Sequence, residues 1–331
     1  MKAIVWTQYG SPDGLQLQEL ERPVPKADEI LVRIHAASVT AGDCEIRRLQ
    51  LPLGLSFPIR LYAGLTQPKR IPILGQELAG EVVEVGDQVV NYQPGDQVFG
   101  TTGFGFGAYA EYISLPAQPD DAQGVLTIKP EAIPYEAAAT LPTAGFEALH
   151  YLRGSNLQPG QQVLIIGAGG SIGTFAVQLA KYFGAEVTGV DSTQKQALIR
   201  ALGADHAIDY TREDYVHSGK TYDLIIDVVG KHSVARRLKL LKPDGVYHLA
   251  FARLRHIPLS WWVSLTSARK LNLQPAAQKK EDLDFLAELL AEGKITSVID
   301  KVFPLEEIVE AHRYSEAGGK QGNIAISVTG D

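Results

Sequence analysis

Val163-Leu-Ile-Ile-Gly-Ala-Gly-Gly-Ser-Ile-Gly173 decides how this chain folds. Its first four residues are apolar without alternation, as in a strand buried on both faces, and four glycines follow within seven positions. Thr174 to Phe183 then reads as an amphipathic helix stopped by Gly184. A glycine turn between strand and helix lets the backbone approach a pyrophosphate, whose charge meets backbone N–H groups and the positive end of the helix. A glycine cluster alone is weak evidence, because tight turns need glycine too. Here a second strand, Glu186 to Val190, ends at Asp191, about twenty residues on, the context of a dinucleotide site. The alternation continues with a helix stopped by Gly203, a short strand at Ala207 to Asp209, the strand Tyr222 to Asp227, a helix over Ser233 to Leu241, and a strand at Val246 to Leu249. The expected fold class is therefore α/β, with a doubly wound parallel sheet covered on both faces.

Asp191 is placed to accept hydrogen bonds from ribose hydroxyls, which favours NAD. Ser192, Thr193, Lys195 and Tyr210 offer donors for a 2′-phosphate, which favours NADP, although Lys195 reads equally as a solvated helix residue. Both readings stand at this level.

Residues Val163 to Ala180 carry no charge for eighteen positions, long enough to raise a membrane span. Their four glycines, Gln178 and two hydroxyl residues point instead to a buried strand, loop and helix. The opening MKAIVWTQYG is short for a signal peptide and reads as a strand. Net charge is −7 with a pI near 5.7, so there is no general electrostatic attraction to nucleic acid or to anionic membranes, while a local basic patch stays open. Arg236, Arg237 and Lys239 form one such cluster and read as a solvated helix face. Cys44 is the sole cysteine, which excludes an intrachain disulfide and any metal site built on two thiolates, and which permits a cytoplasmic location.

At 331 residues two domains are expected on the prior of about 150 residues each. Glu29 to Val39 and Leu78 to Val90 carry β-rich segments broken by Gly, Asp and Pro, the pattern of an antiparallel barrel or sandwich with little helix. Helices are expected from Pro134 to Leu141 and from Ala144 to Leu152. A helix from Glu281 to Glu292, a strand Val298 to Phe303, a helix Leu305 to Tyr314 and a strand Asn323 to Val328 close the chain. The division is 1–128, 129–270 and 271–331, the last part returning to the first domain. Within the first, Ile73-Leu-Gly-Gln-Glu-Leu-Ala-Gly80 sets Gln76 and Glu77 in an apolar run. Such a pair must be satisfied by hydrogen bonds or hold something.

The glycine loop, Leu141-Pro-Thr-Ala-Gly145, Gly75-Gln-Glu-Leu-Ala-Gly80, Pro94-Gly-Asp-Gln-Val-Phe99 and Glu292-Gly-Lys-Ile295 together resemble the medium-chain dehydrogenase/reductase superfamily, from Met1 to about Val328. The resemblance implies a GroES-like β-rich catalytic domain from both chain ends, a Rossmann domain between them, and a cofactor in the intervening cleft. In the zinc alcohol dehydrogenases of that superfamily a histidine stands where this chain has Gln76, and a cysteine ligand maps onto Thr40. Cys44 is offset by four residues, and the four-cysteine zinc lobe is missing. A neutral amide and a hydroxyl do not make a catalytic zinc site, so no metal is expected. Gln76 and Glu77 then read as structural, bonding neighbouring backbone where the domains meet.

The branch this chain looks most like is the zinc-free quinone oxidoreductase group, with glycines matching Gly170 and Gly173. Lys195 and Tyr210 match positions holding the NADPH 2′-phosphate there, whereas Asp191 replaces a small residue and Glu147 replaces a threonine near the nicotinamide-side phosphate. The implied cofactor contacts are Thr143, Gly169, Gly170, Ser171, Ile172, Asp191, Ser192, Lys195, Tyr210, Val229 and Phe251, for NADPH or NADH. Without zinc the acceptor should be a quinone or an α,β-unsaturated carbonyl, whose product anion is already delocalised. Thr40, Asp43 and Tyr62 are the candidate catalytic donors. An ion pair between Asp43 and Arg47 fixing the loop is the alternative reading of those two. Leu51 to Arg70 and Ile257-Pro-Leu-Ser-Trp-Trp-Val263 are candidate covers for the pocket, and Trp261-Trp262 fits a subunit interface equally. The rival readings are an alcohol dehydrogenase and a non-enzymatic NADPH-binding interaction protein. A homodimer is implied, with a small-molecule substrate and neither a nucleic-acid nor a membrane partner.

Overall fold

The computed structural model describes residues 1–51, 55–119, 123–230 and 233–328. These residues form two compact units. One comprises Met1–Leu51, Leu55–Thr143 and the residues from Gln278 on, and the other comprises Ala144–Ala277.

The second unit is built on six parallel strands: Gln162–Ile166, Glu186–Asp191, His206–Asp209, Tyr222–Asp227, Leu241–Leu249 and Lys270–Asn272. Numbered in that sequence, they lie in the order 3-2-1-4-5-6, the doubly wound arrangement, with its switch point between the first and the fourth strand. Val163, Leu164 and Ile165 are buried, as are Leu224, Ile225 and Ile226, which accounts for their unbroken apolar runs. The uncharged stretch after Val163 divides into strand, turn and the helix Ser171–Tyr182. Among the described residues no helix is long and apolar enough to cross a membrane.

One expected element is much shorter than its pattern suggested. The helix over Ser233 to Leu241 is a single turn, Val234–Arg237, followed by a 3-10 turn, Leu238–Leu240. Leu240 and Leu241 are buried, and Leu241 already pairs with Tyr222, so the chain enters the sheet at Leu241 rather than at Val246.

The first unit holds a seven-stranded sheet. Its order is Ile299–Pro304, Asn323–Ser327, Glu29–Ser38, Glu77–Val85, Gln97–Thr101 and Val125–Ile128, with Tyr112–Pro116 also paired to Glu29–Ser38. Only the pair formed by Ile299–Pro304 and Asn323–Ser327 is parallel, and Asn323–Ser327 ties the chain's end to Glu29–Ser38. The helix Tyr135–Ala139 packs on this sheet, so the first unit runs to Thr143, beyond the expected boundary at 128.

Two helices, Ala41–Arg48 and Ser56–Ala63, lie where little helix was expected. The first begins at a capping box: Thr40 accepts from the Asp43 N–H at 3.1 Å, and the Asp43 carboxylate accepts from the Thr40 N–H at 2.9 Å. Arg47 and Arg48 occupy its last turn, where the helix dipole favours cations.

Arg47 does not pair with Asp43. Its guanidinium is buried and donates to the Glu316 carboxylate and the Gly10 carbonyl, with Nε 3.3 Å from His312 Nδ1. The Asp43 carboxylate turns back on Thr40 because the cap donors are local, whereas Arg47, one turn on, faces the helix Ile308–Ala317. Replacing Arg47 by Met should lower unfolding free energy by about 3 kcal/mol in urea titrations, the cost of leaving a partly buried carboxylate and a carbonyl without their donor. A loss under about 1 kcal/mol would mean that the pair contributes no more than a surface bridge.

Candidate functional site

At the switch point the glycine loop and the turn after the fourth strand meet. Gly167 has φ +89°, and a Cβ there would lie 2.7 Å from methyl groups of Val228 and Val229. Gly170 is the N-cap of the Ser171–Tyr182 helix and offers no side chain to its N–H groups. A Cβ on Gly170 would meet only the Gly167 carbonyl oxygen, at 3.5 Å, so there is room beside the helix N-terminus. Space beside a helix N-terminus is what the expected pyrophosphate contact at Gly170, Ser171 and Ile172 requires.

Asp191 departs from the expected geometry. Its two oxygens accept from the Gly169 N–H at 2.9 Å and the Ser192 N–H at 2.8 Å, and Lys195 Nζ lies 3.6 Å away. The Lys195 stem packs over the loop, where a Cβ on Gly169 would come within 2.7 Å of its Cδ. Asp191 is thus folded onto the loop it follows, with its charge offset by a buried lysine. Tyr210 is exposed and its N–H donates to the Asp191 carbonyl at 3.2 Å, which fixes its backbone to the end of that strand.

Past the fourth strand, Asp227 is fully buried. It accepts from the N–H groups of Val229 and Gly230, both at 3.0 Å, from the Tyr247 hydroxyl at 2.7 Å, and from the Arg237 guanidinium. This holds the turn carrying Val229, and Phe251 lies against Gly230. Arg237 is therefore a buried partner and not part of a solvated face. The sequence reading missed Asp227, though a carboxylate closing an apolar strand was a visible signal. Glu147, at the position of a family threonine, is largely buried. Its carboxyl is raised by burial, and one oxygen accepts from the Ala276 N–H at 3.5 Å.

In the first unit, Gln76 and Glu77 are satisfied internally. The Gln76 amide donates to the Gly103 carbonyl at 3.1 Å. Glu77 accepts from the Ser38 hydroxyl and from the Thr143 N–H, so Thr143 is committed through its backbone to this carboxyl. Burial pushes Glu77 up to about 7, outweighing those hydrogen bonds, and the nearby Asp43 adds to the shift. Asp43 is pushed up to about 6, again by burial, against the hydrogen bond that Thr40 Oγ1 donates at 2.6 Å. The Tyr109 hydroxyl, itself raised by burial and then by Asp43, completes this group and was also missed by sequence. Tyr62 is not brought into it: it lies exposed on the Ser56–Ala63 helix, with the Arg70 guanidinium over its ring.

These residues do not suit zinc. Thr40 caps a helix, Gln76 serves a carbonyl, and the Cys44 thiol is pushed up to about 12 by burial. Among the described residues no group of three His, Cys, Asp or Glu is placed to hold a metal.

The raised carboxyls make stability depend on pH. An unfolded glutamate ionises near the ordinary value of about 4.3, whereas folded Glu77 holds its proton to about 7. The unfolded state releases the proton first, so stability falls as pH rises through that window and levels off above it. Asp43 acts with the same sign over a window ending near 6. Glu77→Gln keeps the acceptor for Thr143 and carries no proton to lose. Its urea midpoint should fall less than the wild type's between about pH 5 and about pH 8, and an equal fall would show that Glu77 is ionised in the fold throughout.

Residues 26–120 match the alcohol dehydrogenase GroES-like domain family and residues 202–326 the zinc-binding dehydrogenase family. The 2-methylene-furan-3-one reductase of Solanum lycopersicum is 31% identical over 98% of this chain and 79% of its own length. The quinone oxidoreductase of Coxiella burnetii is 30% identical and superposes with a TM-score of 0.87 over 99% of each chain. The Escherichia coli quinone oxidoreductase complexed with NADPH is 26% identical, with a TM-score of 0.84 over 99% of this chain and 100% of its own. The fold, the glycine loop at its switch point and these likenesses agree, and the chain belongs to the medium-chain dehydrogenase/reductase superfamily, in its quinone oxidoreductase-like branch.

Proposed function

We propose that the protein is a zinc-independent oxidoreductase that uses a reduced nicotinamide, preferentially NADPH, to transfer hydride to a quinone or an α,β-unsaturated carbonyl. The observation that carries this reading is the state of Thr40 and Gln76. Two of the positions that bind zinc in the alcohol dehydrogenases hold neutral side chains here, and both are engaged in bonds of the fold. The acceptor must then be one that needs little help with its negative charge. The names of the tomato and Coxiella relatives, an enone reductase and a quinone oxidoreductase, support the same acceptor class. A cytoplasmic homodimer completes the proposal, supported by the family resemblance and by a chain whose sole cysteine needs no oxidising compartment.

A bound nicotinamide supplies the hydride. The chain's part is to place that dinucleotide and to meet charge on the acceptor oxygen. The resemblance puts Thr40 beside the nicotinamide. While Asp43 is ionised, the Thr40 hydrogen is committed to its carboxylate at 2.6 Å. Once Asp43 is protonated, its O–H donates to Thr40 Oγ1 instead, and the Thr40 hydrogen is released toward an acceptor oxygen. Solvent supplies the remaining proton.

The NADPH preference rests on Asp191. A bare carboxylate beside the ribose would repel a 2′-phosphate, but this one is offset by Lys195 and spends two acceptor sites on the glycine loop and the turn after it. Absorbance of the reduced nicotinamide, followed with quinones, enones, aldehydes and alcohols, tests the reaction. Turnover of quinones or enones that persists with a chelator is expected, and chelator-sensitive alcohol oxidation would overturn the reading. Lys195→Ala should raise KM for NADPH about tenfold, the worth of one charge-assisted contact, and change that for NADH much less. An equal effect on both would remove Lys195 from the 2′-phosphate.

A further inference from the structure

We propose that the exposed face of the His256–Thr266 helix docks on an anionic lipid surface. On its inner side the helix is anchored to the edge strand of the parallel sheet: Val263 is buried with Leu271, and Ser260 Oγ donates to the Leu271 carbonyl at 2.7 Å. Its outer side carries Ile257, Trp261 and Leu265 at a spacing of four, with Trp262 beside them and Leu254 in the turn before. These five are exposed, Trp261 at 71%, Trp262 at 61% and Leu265 at 86%. Spaced at four, the residues fall in one stripe, so the apolar area is contiguous.

The charge around the stripe selects its partner. From Gly245 to Lys280 the chain has no Asp or Glu and has six Arg or Lys, although it carries 38 acidic residues against 31 basic ones in all. Arg253 and Arg255 precede the helix, Arg269 and Lys270 follow it, and Arg253, Arg255 and Lys270 are exposed. Cations at both ends of a stripe of tryptophan and aliphatic side chains suit the headgroup region, where indole rings sit at the boundary and Arg or Lys meets lipid phosphate. A second copy fits less well. A two-fold contact sets each patch against itself, and here that would bring the exposed Arg253, Arg255 and Lys270 of one copy against those of the other, with Asp244 the nearest acid in sequence. The proposal revises the expectation of no membrane partner for this one face, and it does not depend on which acceptor is reduced.

Flotation of the full chain with phosphatidylcholine vesicles, with and without phosphatidylglycerol, tests it. Retention is expected with phosphatidylglycerol only, weakening as salt is raised. Because Trp6 is buried, a blue shift of tryptophan emission on those vesicles would report the exposed pair entering the lipid. The double substitution Trp261→Ser and Trp262→Ser should weaken retention about tenfold or more, with circular dichroism and NADPH binding unchanged. Each of Arg253→Gln, Arg255→Gln and Lys270→Gln should weaken it about fivefold. No retention on phosphatidylglycerol vesicles, or retention indifferent to the tryptophans, would overturn the proposal. So would sedimentation showing a wild-type dimer that the double variant converts to monomer without vesicle binding, because a second copy would then cover the face.

Discussion

At Gly173 an added Cβ would lie 2.1 Å from the carbonyl oxygen of Gly167, a separation no side chain permits. The first helix of the parallel sheet can start as close to its strand as it does only because Gly173 has no side chain. That closeness brings the helix N-terminus to the carboxyl end of the strand, at the point where strand order reverses. Three further contacts depend on it: Asp191 reaches back to Gly169, Lys195 covers the same loop, and the turn after the fourth strand closes against Gly167. A methyl group at Gly173 would push the helix away and undo these contacts together.

Three buried carboxyls show how the fold handles charge it cannot hydrate. Asp227 meets a guanidinium, a phenol and two backbone N–H groups, so its charge is answered within the core of the second unit. Glu77 and Asp43 in the first unit are held by hydrogen bonds from neutral donors, and burial raises both. The buried guanidinium of Arg47, one helical turn from Asp43, serves Glu316 instead. Hydrogen bonds from neutral donors recover part of the desolvation cost of a charge, and a protonated carboxyl escapes the remainder. That difference makes the Asp43 and Glu77 pair responsive to pH near neutrality.

Strand, glycine turn and helix were legible around Val163 because each signal is local: apolar continuity, glycine at forced positions, and an acid closing the next strand. The helix Ala41–Arg48 was just as local, written in Thr40-x-x-Asp43, and was lost to an antiparallel reading of its surroundings. The short helix after Ser233 lay beyond local reading, since Leu241 leaves it to pair with a strand nineteen residues earlier. Arg47 illustrates the same limit at a side chain. Its partner, Glu316, lies 269 residues away, whereas the carboxylate four positions back, Asp43, was already occupied by the helix cap.

Asp191 marks where a fingerprint stops being chemistry. An acid closing the second strand reads as a ribose acceptor because the fold aims that position at the adenosine. The aim is a property of the fold, but availability is a property of the carboxylate's neighbours. Here two N–H groups and a buried ammonium reach it from its own chain. One of the donors is Gly169, supplied by the loop that the fingerprint itself requires. The glycines that make room for a pyrophosphate thus leave a backbone N–H that can engage the acid, and Lys195 four residues on converts an anionic position into a nearly neutral one. Replacing that lysine, rather than the acid, is therefore the change that should restore the negative charge of that position, while the two N–H bonds to Asp191 remain.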